Sequence, residues 1–136
     1  MNNIQTGAGM YQQTAIQSMP PDKLLIMVYD GAIRCLKLAK EALDNKEFEA
    51  ANKHLLKTQD FITELMVTLD MSYPIAGNLY KLYDYFRFRL VQANVRKDVE
   101  PVAEVLGHLV SLREVWIQAA QAAKKTSPAG GLDFAG

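Results

Sequence analysis

The residues of this chain best suited to nucleophilic or metal chemistry are one cysteine, Cys35, and two histidines, His54 and His108. A zinc site wants several His or Cys ligands, and these three stand far apart in sequence. Neither histidine falls in the Glu-x-x-His pattern by which helical bundles hold metals. Cys35 lies within a helix expected to be enclosed by its neighbours, the setting of a small core residue rather than an activated thiolate. "GAG" at residues 7–9 follows no strand, the context a phosphate-binding loop requires. The acid pairs Glu47/Glu49 and Asp98/Glu100 fall at expected helix starts, where carboxylates compensate the dipole. These residues assemble no catalytic centre and imply no cofactor or metal, so the chain reads as a non-enzyme.

A chain of 136 residues is the size of one domain with one sizeable core. With 49% hydrophobic and 22% charged residues, its composition is globular rather than disordered. The 15 basic side chains cancel the 15 acidic ones. A phosphate backbone or anionic membrane favours a positive excess, so nucleic acid is not expected as the main partner. No stretch approaches the roughly 18–20 uncharged apolar residues of a membrane span. The N-terminal MNNIQTGAGMYQQ lacks the basic start and apolar run of a secretory signal. A single cysteine permits no internal disulfide, and the expected compartment is the cytoplasm.

Periodicity predicts an all-α chain, an antiparallel four-helix bundle over residues 19–124. Residues 1–18 are a polar, Gly-containing arm or short extra helix, and 125–136 a Gly/Pro-rich disordered tail. "SMPPDK" opens the first helix, with Pro tolerated in the first turn and Asp22 at the positive dipole end. "LDNKEF" breaks it at 44–47. A second helix runs from about Phe48 to Leu69, where Phe48, Leu55, Ile62 and Leu69 recur every seven residues. "DMSYP" turns at 70–74, because Pro74 disfavours helix in the residue before it. The third helix covers about 75–95 and the fourth about 101–124, each with a core stripe at 3-4 spacing.

Two features leave apolar surface to spare. The first helix opens on six consecutive apolar residues, Leu24 to Tyr29. Its Lys23, Asp30, Arg34, Lys37 and Glu41 share one narrow stripe, with Asp30–Arg34 and Lys37–Glu41 spaced as i,i+4 pairs. That pattern describes a helix enclosed by several neighbours. The third helix, "YKLYDYFRFRLV" at 80–91, puts Tyr83 and Phe86 on the core face and Phe88 nearly opposite, with Tyr80, Tyr85 and Val91 on the flanks. Scattered surface aromatics are ordinary, but several around one helix fit a partner surface.

At this point the residues resemble a known family. KLL-x-M-x-YDGAI at 23–33, LD at 69–70, IA-x-NL at 75–79, LYDY at 82–85, RL-x-QAN at 89–94 and the late Trp116 are similar to the flagellar secretion chaperone FliS family, in the same order over about residues 10–120. The turn before IA-x-NL reads MSYP, where the family is often Gly-rich. The resemblance implies a cytoplasmic bundle that binds the C-terminal segment of flagellin, prevents its premature polymerisation and aids delivery to the flagellar export apparatus. It leaves room for other flagellar export components as partners. It also implies a client that is disordered alone and becomes largely helical around the bundle. In some members the N-terminal arm covers part of the groove.

The positions expected to line that groove are Leu65, Leu69, Tyr73, Tyr83, Phe86, Leu90, Val105 and Leu109, with Phe88 or Tyr80 at its rim. Bundle packing is the competing expectation for each core-face residue, foremost Phe86, Leu90 and Leu109. Ile4, Met10, Tyr11 and Ile16 are the expected lid, against a plain terminus. Asp30 is expected to pair with Arg34, Asn78 and Asn94 to satisfy backbone near helix ends, and Asp84 to be architectural or to bond the client. The alternative function is a self-associating structural or regulatory helical bundle without a flagellin client.

Overall fold

The computed structural model describes residues 21–126, in which four helices follow one another without a strand: α1 Pro21–Asp44, α2 Phe48–Val67, α3 Pro74–Arg96 and α4 Val99–Thr126. The arm with Ile4, Met10, Tyr11 and Ile16 lies outside the described residues, as does the chain beyond Thr126. Lys125 and Thr126, expected in the tail, belong to α4.

Local chemistry sets the boundaries. At the end of α1, Lys46 takes a left-handed conformation (φ 59°). The Glu47 amide donates to the Ala42 carbonyl at 2.8 Å and the Lys46 amide to Leu43 at 3.1 Å, which satisfies carbonyls the helix leaves open. Lys97 does the same after α3 (φ 52°), with the Asp98 amide on the Ala93 carbonyl. α2 stops two residues short of the expected Leu69. There Thr68 turns its hydroxyl back to the Glu64 carbonyl, and Asp70 accepts both the amide and the hydroxyl of Ser72. Those bonds to Ser72 hold the Asp70 carboxyl below its ordinary pKa. Pro74 occupies the first turn of α3. Asp98 accepts the Glu100 amide at the start of α4, so this helix begins ahead of Pro101 rather than at it.

α1 packs on α2 and α4, and α3 packs on the same two, so α1 and α3 stand diagonally. Cross-helix pairs run in opposite senses, Asn52 with Asn94 but Thr63 with Arg87, as antiparallel neighbours require. The shared core holds Tyr29, Leu36, Leu55, Ile62, Leu65, Tyr83, Phe86, Leu90, Val102, Val105 and Leu109, all fully buried. α1 is enclosed from Tyr29 onward, but its opening apolar run is not: Leu24, Leu25, Ile26 and Val28 are half-buried and Met27 is exposed. Leu25 and Val28 pack against the edge of the core, and Leu24, Met27 and Val28 turn towards α2, so part of the surplus apolar surface of α1 stays open there.

Candidate functional site

The structure divides the expected groove residues into two groups. Leu65, Tyr83, Phe86, Leu90, Val105 and Leu109 are at most 1% exposed and pack against one another, so they present no surface to a partner. Each lies on the inward stripe of its helix, where the stripes close on one another in a single core cluster. These six are buried in the core of the bundle, the competing expectation for the core-face positions. Leu69 is half-buried against that core. Tyr73, Tyr80 and Phe88 are exposed, Phe88 to 58%.

Phe88 and Tyr80 belong to a longer feature. Tyr80, Phe88, Val91 and Val95 fall within about 80° of one another around α3, centred about 130° away from the stripe of Leu79, Tyr83, Phe86 and Leu90. All four are exposed, Val95 to 77%, and they make an apolar stripe about 22 Å long. Val67, Met71, Tyr73 and Ile75, at and beside the α2–α3 turn, are exposed as well. Asp84 lies on the same face and pairs with Arg87 at 3.1 Å, in an exposed contact.

The second apolar surface is a cleft of about 300 Å³ between α1 and α2, lined by Leu24, Met27, Val28 and Phe61 with Lys57, Asp60 and Glu64 on its α2 side. It sits at the end of the bundle where the chain enters α1. The Phe61 ring lies over Gly31, which is buried, and the Lys57 ammonium stands 5.9 Å from the ring centroid. Sequence reasoning missed this cleft. The signals were there in Gly31 interrupting a helical pattern and in the unbroken apolar opening of α1, but neither says which residue of α2 lies opposite.

Between the two surfaces the bundle is pinned by polar contacts. Trp116 Nε1 donates to the Tyr29 hydroxyl at 3.0 Å, and the Tyr29 and Tyr83 hydroxyls bond at 2.6 Å, which ties α1, α3 and α4 across the diagonal. Burial raises the pKa of both tyrosines. Asp30 pairs with Arg113 of α4 instead of the expected Arg34, because antiparallel packing brings that guanidinium to it from 83 positions away. Among ion pairs of the described residues, α1 shows Lys40–Asp44 and not Lys37–Glu41. Glu104 accepts from Tyr85 Oη at 2.6 Å and from Arg89 Nε at 2.7 Å, and these two bonds lower its pKa. Asn94 bonds Asn52 and Lys97 rather than backbone.

The cysteine and the two histidines stand on three different helices. Cys35 is half-buried in α1, His108 stacks on Phe86 with centroids 5.5 Å apart, and His54 stands on another helix. Among the described residues, no cluster of three or more His, Cys, Asp or Glu side chains is placed to hold a metal ion. No helix among them is long and apolar enough to cross a membrane.

Known proteins resemble this chain over nearly its whole length. The family model described as flagellar protein FliS matches residues 2–123. A flagellar secretion chaperone FliS from Bacillus subtilis is 36% identical over 122 residues, covering 90% of this chain and 92% of the relative. One from Salmonella typhimurium is 35% identical over 120 residues, covering 86% and 89%. One from Escherichia coli is 30% identical over 107 residues, covering 76% and 79%.

Proposed function

This chain belongs to the FliS family of flagellar secretion chaperones, and from that premise we propose that it binds the disordered C-terminal segment of flagellin. In the cytoplasm, it keeps that segment from polymerising early and presents it to the flagellar export apparatus. The observation that carries this reading is the apolar surface left after the core has closed: the α1/α2 cleft and the α3 stripe.

The physical chemistry supports such a task. An export client must be held unfolded yet soluble, so its apolar residues need a substitute for their later polymer contacts. Helix-in-groove docking coupled to folding supplies one. Each buried Leu, Met or Phe side chain contributes roughly 1.5–3 kcal/mol, and ordering a free segment costs roughly 2–5 kcal/mol or more. Five or six anchors therefore leave about the 8 kcal/mol that corresponds to micromolar affinity. Charge steering is not required, in keeping with a neutral chain. Tyr73, Tyr80 and Phe88 are the groove positions from the sequence that retain a free face, and the arm bearing Ile4, Met10, Tyr11 and Ile16 is the lid. That arm joins α1 at Pro21, one turn ahead of the cleft residue Leu24.

Calorimetric titration with a C-terminal flagellin peptide tests the proposal, with circular dichroism to follow the peptide. Saturable binding with a negative heat-capacity change and a gain of helix is expected. A peptide that neither binds nor folds refutes it, and a stable homo-oligomer indifferent to the peptide gives the α3 stripe to a second copy instead.

A further inference from the structure

We propose that Gly31 is the specificity-determining residue of the α1/α2 cleft: its missing Cβ seats the Phe61 ring as the cleft floor, which opens room for one large apolar side chain of the client. This rests on the chaperone reading above and deepens it.

A glycine inside a helix is destabilising relative to alanine, so its presence in α1 calls for a reason. The backbone supplies none, since Gly31 has no positive φ and lies inside a regular helix. The reason is steric. A Cβ built on Gly31 meets Phe61 Cε1 and Cζ at 2.5 Å and Cε2 at 3.1 Å, well inside van der Waals contact. Gly77 and Gly107 behave otherwise, with nothing within 4 Å of a built Cβ. A methyl group at 31 must therefore push the ring away from α1. The ring already borders the cleft, so displacement moves it into the space between Leu24, Met27 and Val28. At about 300 Å³ the cleft is at the small end of ligand pockets, and an inserted ring edge closes much of it.

A sequence selected for stability alone would fill this cavity and avoid the glycine. Here both departures occur at one place, and they cooperate to keep a recess open. The rim defines the guest further: Asp60 and Glu64 stand one turn apart on α2 beside a single ammonium, Lys57, whose charge faces the Phe61 ring. The occupant that complements this is an amphipathic helix carrying a Leu-, Met- or Phe-sized anchor with a basic residue nearby.

The test is a binding cycle with the flagellin C-terminal peptide on wild type, Gly31→Ala, Phe61→Ala and the double variant, with melting curves for each. Gly31→Ala is expected to weaken binding roughly ten- to a hundredfold, the loss of one large buried apolar anchor. In the Phe61→Ala background, where no ring remains to be displaced, adding Gly31→Ala should change affinity less than about twofold. Should Gly31→Ala fail to fold, Phe61→Trp on intact Gly31 overfills the same recess and is expected to weaken binding as well. Wild-type affinity in Gly31→Ala, or equal effects of that change with and without the ring, overturns the proposal. The Met27 methyl resonance gives a readout independent of the peptide, since ring displacement in Gly31→Ala must shift it, and an unmoved resonance refutes the proposed floor. If wild type does not bind the peptide, the chaperone reading itself fails and the client assignment goes with it.

Discussion

Removing the Tyr29 hydroxyl should cost more stability than removing its partner's, although each change deletes one oxygen from a buried tyrosine. Tyr29 and Tyr83 are 0% and 1% exposed, and Tyr29 stands between two neighbours, with Trp116 Nε1 at 3.0 Å and Tyr83 Oη at 2.6 Å. Tyr83→Phe breaks one hydrogen bond and leaves Tyr29 accepting from the indole, a loss of about 0.5–1.5 kcal/mol. Tyr29→Phe breaks both bonds and leaves the buried Tyr83 hydroxyl and the Trp116 indole N–H without the oxygen that joins them. At about 1–3 kcal/mol for a stranded buried group, eased because Trp116 is only half-buried, the expected cost is roughly 2–4 kcal/mol. The double Tyr29→Phe/Tyr83→Phe variant should lie below the sum of the singles, because the stranded Tyr83 hydroxyl is then gone.

Urea unfolding at neutral pH, read as midpoint times slope, measures all four proteins. The hydroxyls also predict an alkaline signature. Burial raises both pKa values, Tyr83 further through the nearby Tyr29, so their contribution is complete below about pH 10 and falls as pH rises through the folded values. The double variant should lose less stability than wild type over that climb. Equal costs for the two single changes, or strict additivity, would refute a cluster centred on Tyr29.

Three further outcomes follow from other contacts. Glu104 has a lowered pKa because Tyr85 and Arg89 bond its carboxylate, so its contribution is present above about pH 4.3 and is lost as pH falls through the lower folded value; the gap in urea midpoint between wild type and Glu104→Gln should therefore close below pH 4, and a gap independent of pH contradicts it. Phe88→Glu should leave the melting temperature within a few degrees, since the ring is 58% exposed, while weakening flagellin-peptide binding about tenfold or more; unchanged affinity removes Phe88 from the client surface. Deleting residues 2–16 should tighten peptide binding or leave it unchanged if the arm competes for the groove, whereas a large loss of affinity by calorimetry means that the arm itself touches the client.

The helices were legible in the sequence because periodicity is a local property. Heptad spacing of Phe48, Leu55 and Ile62 and the 3-4 stripe of Leu79, Tyr83, Phe86 and Leu90 need only their own neighbourhood to be read. Helix ends were harder, because the left-handed positions that close α1 and α3 carry Lys46 and Lys97 where glycine is the usual signal. Pairings between helices were not legible. Spacing offered Asp30 a partner at Arg34, but the fold supplies Arg113, and only the antiparallel contact of α1 with α4 reveals it. The same limit explains the division of the expected groove. Spacing already set Phe88 opposite Phe86, but whether Phe86 and Leu90 are sealed or left to line a groove depends on how closely α2 and α4 close over that side of α3.

The placement of the two open surfaces constrains any client that uses both. The cleft lies between α1 and α2, whereas the stripe of Tyr80, Phe88, Val91 and Val95 faces away from the core on α3, diagonal to α1. Neighbouring helix axes are roughly 8–10 Å apart, so the path from cleft to stripe around the outside of α2 is about two such spacings. One straight helix lying along the bundle axis stays on a single side and cannot cover this arc. A client that engages both must change direction over α2, with an extended link of about six residues spanning the roughly 20 Å. The crossing is not bare, since Phe48, Leu56 and Val67 are exposed on α2. Two short docked segments joined by such a link would each bind weakly and together bind well, because the second docks at the high effective concentration set by the first.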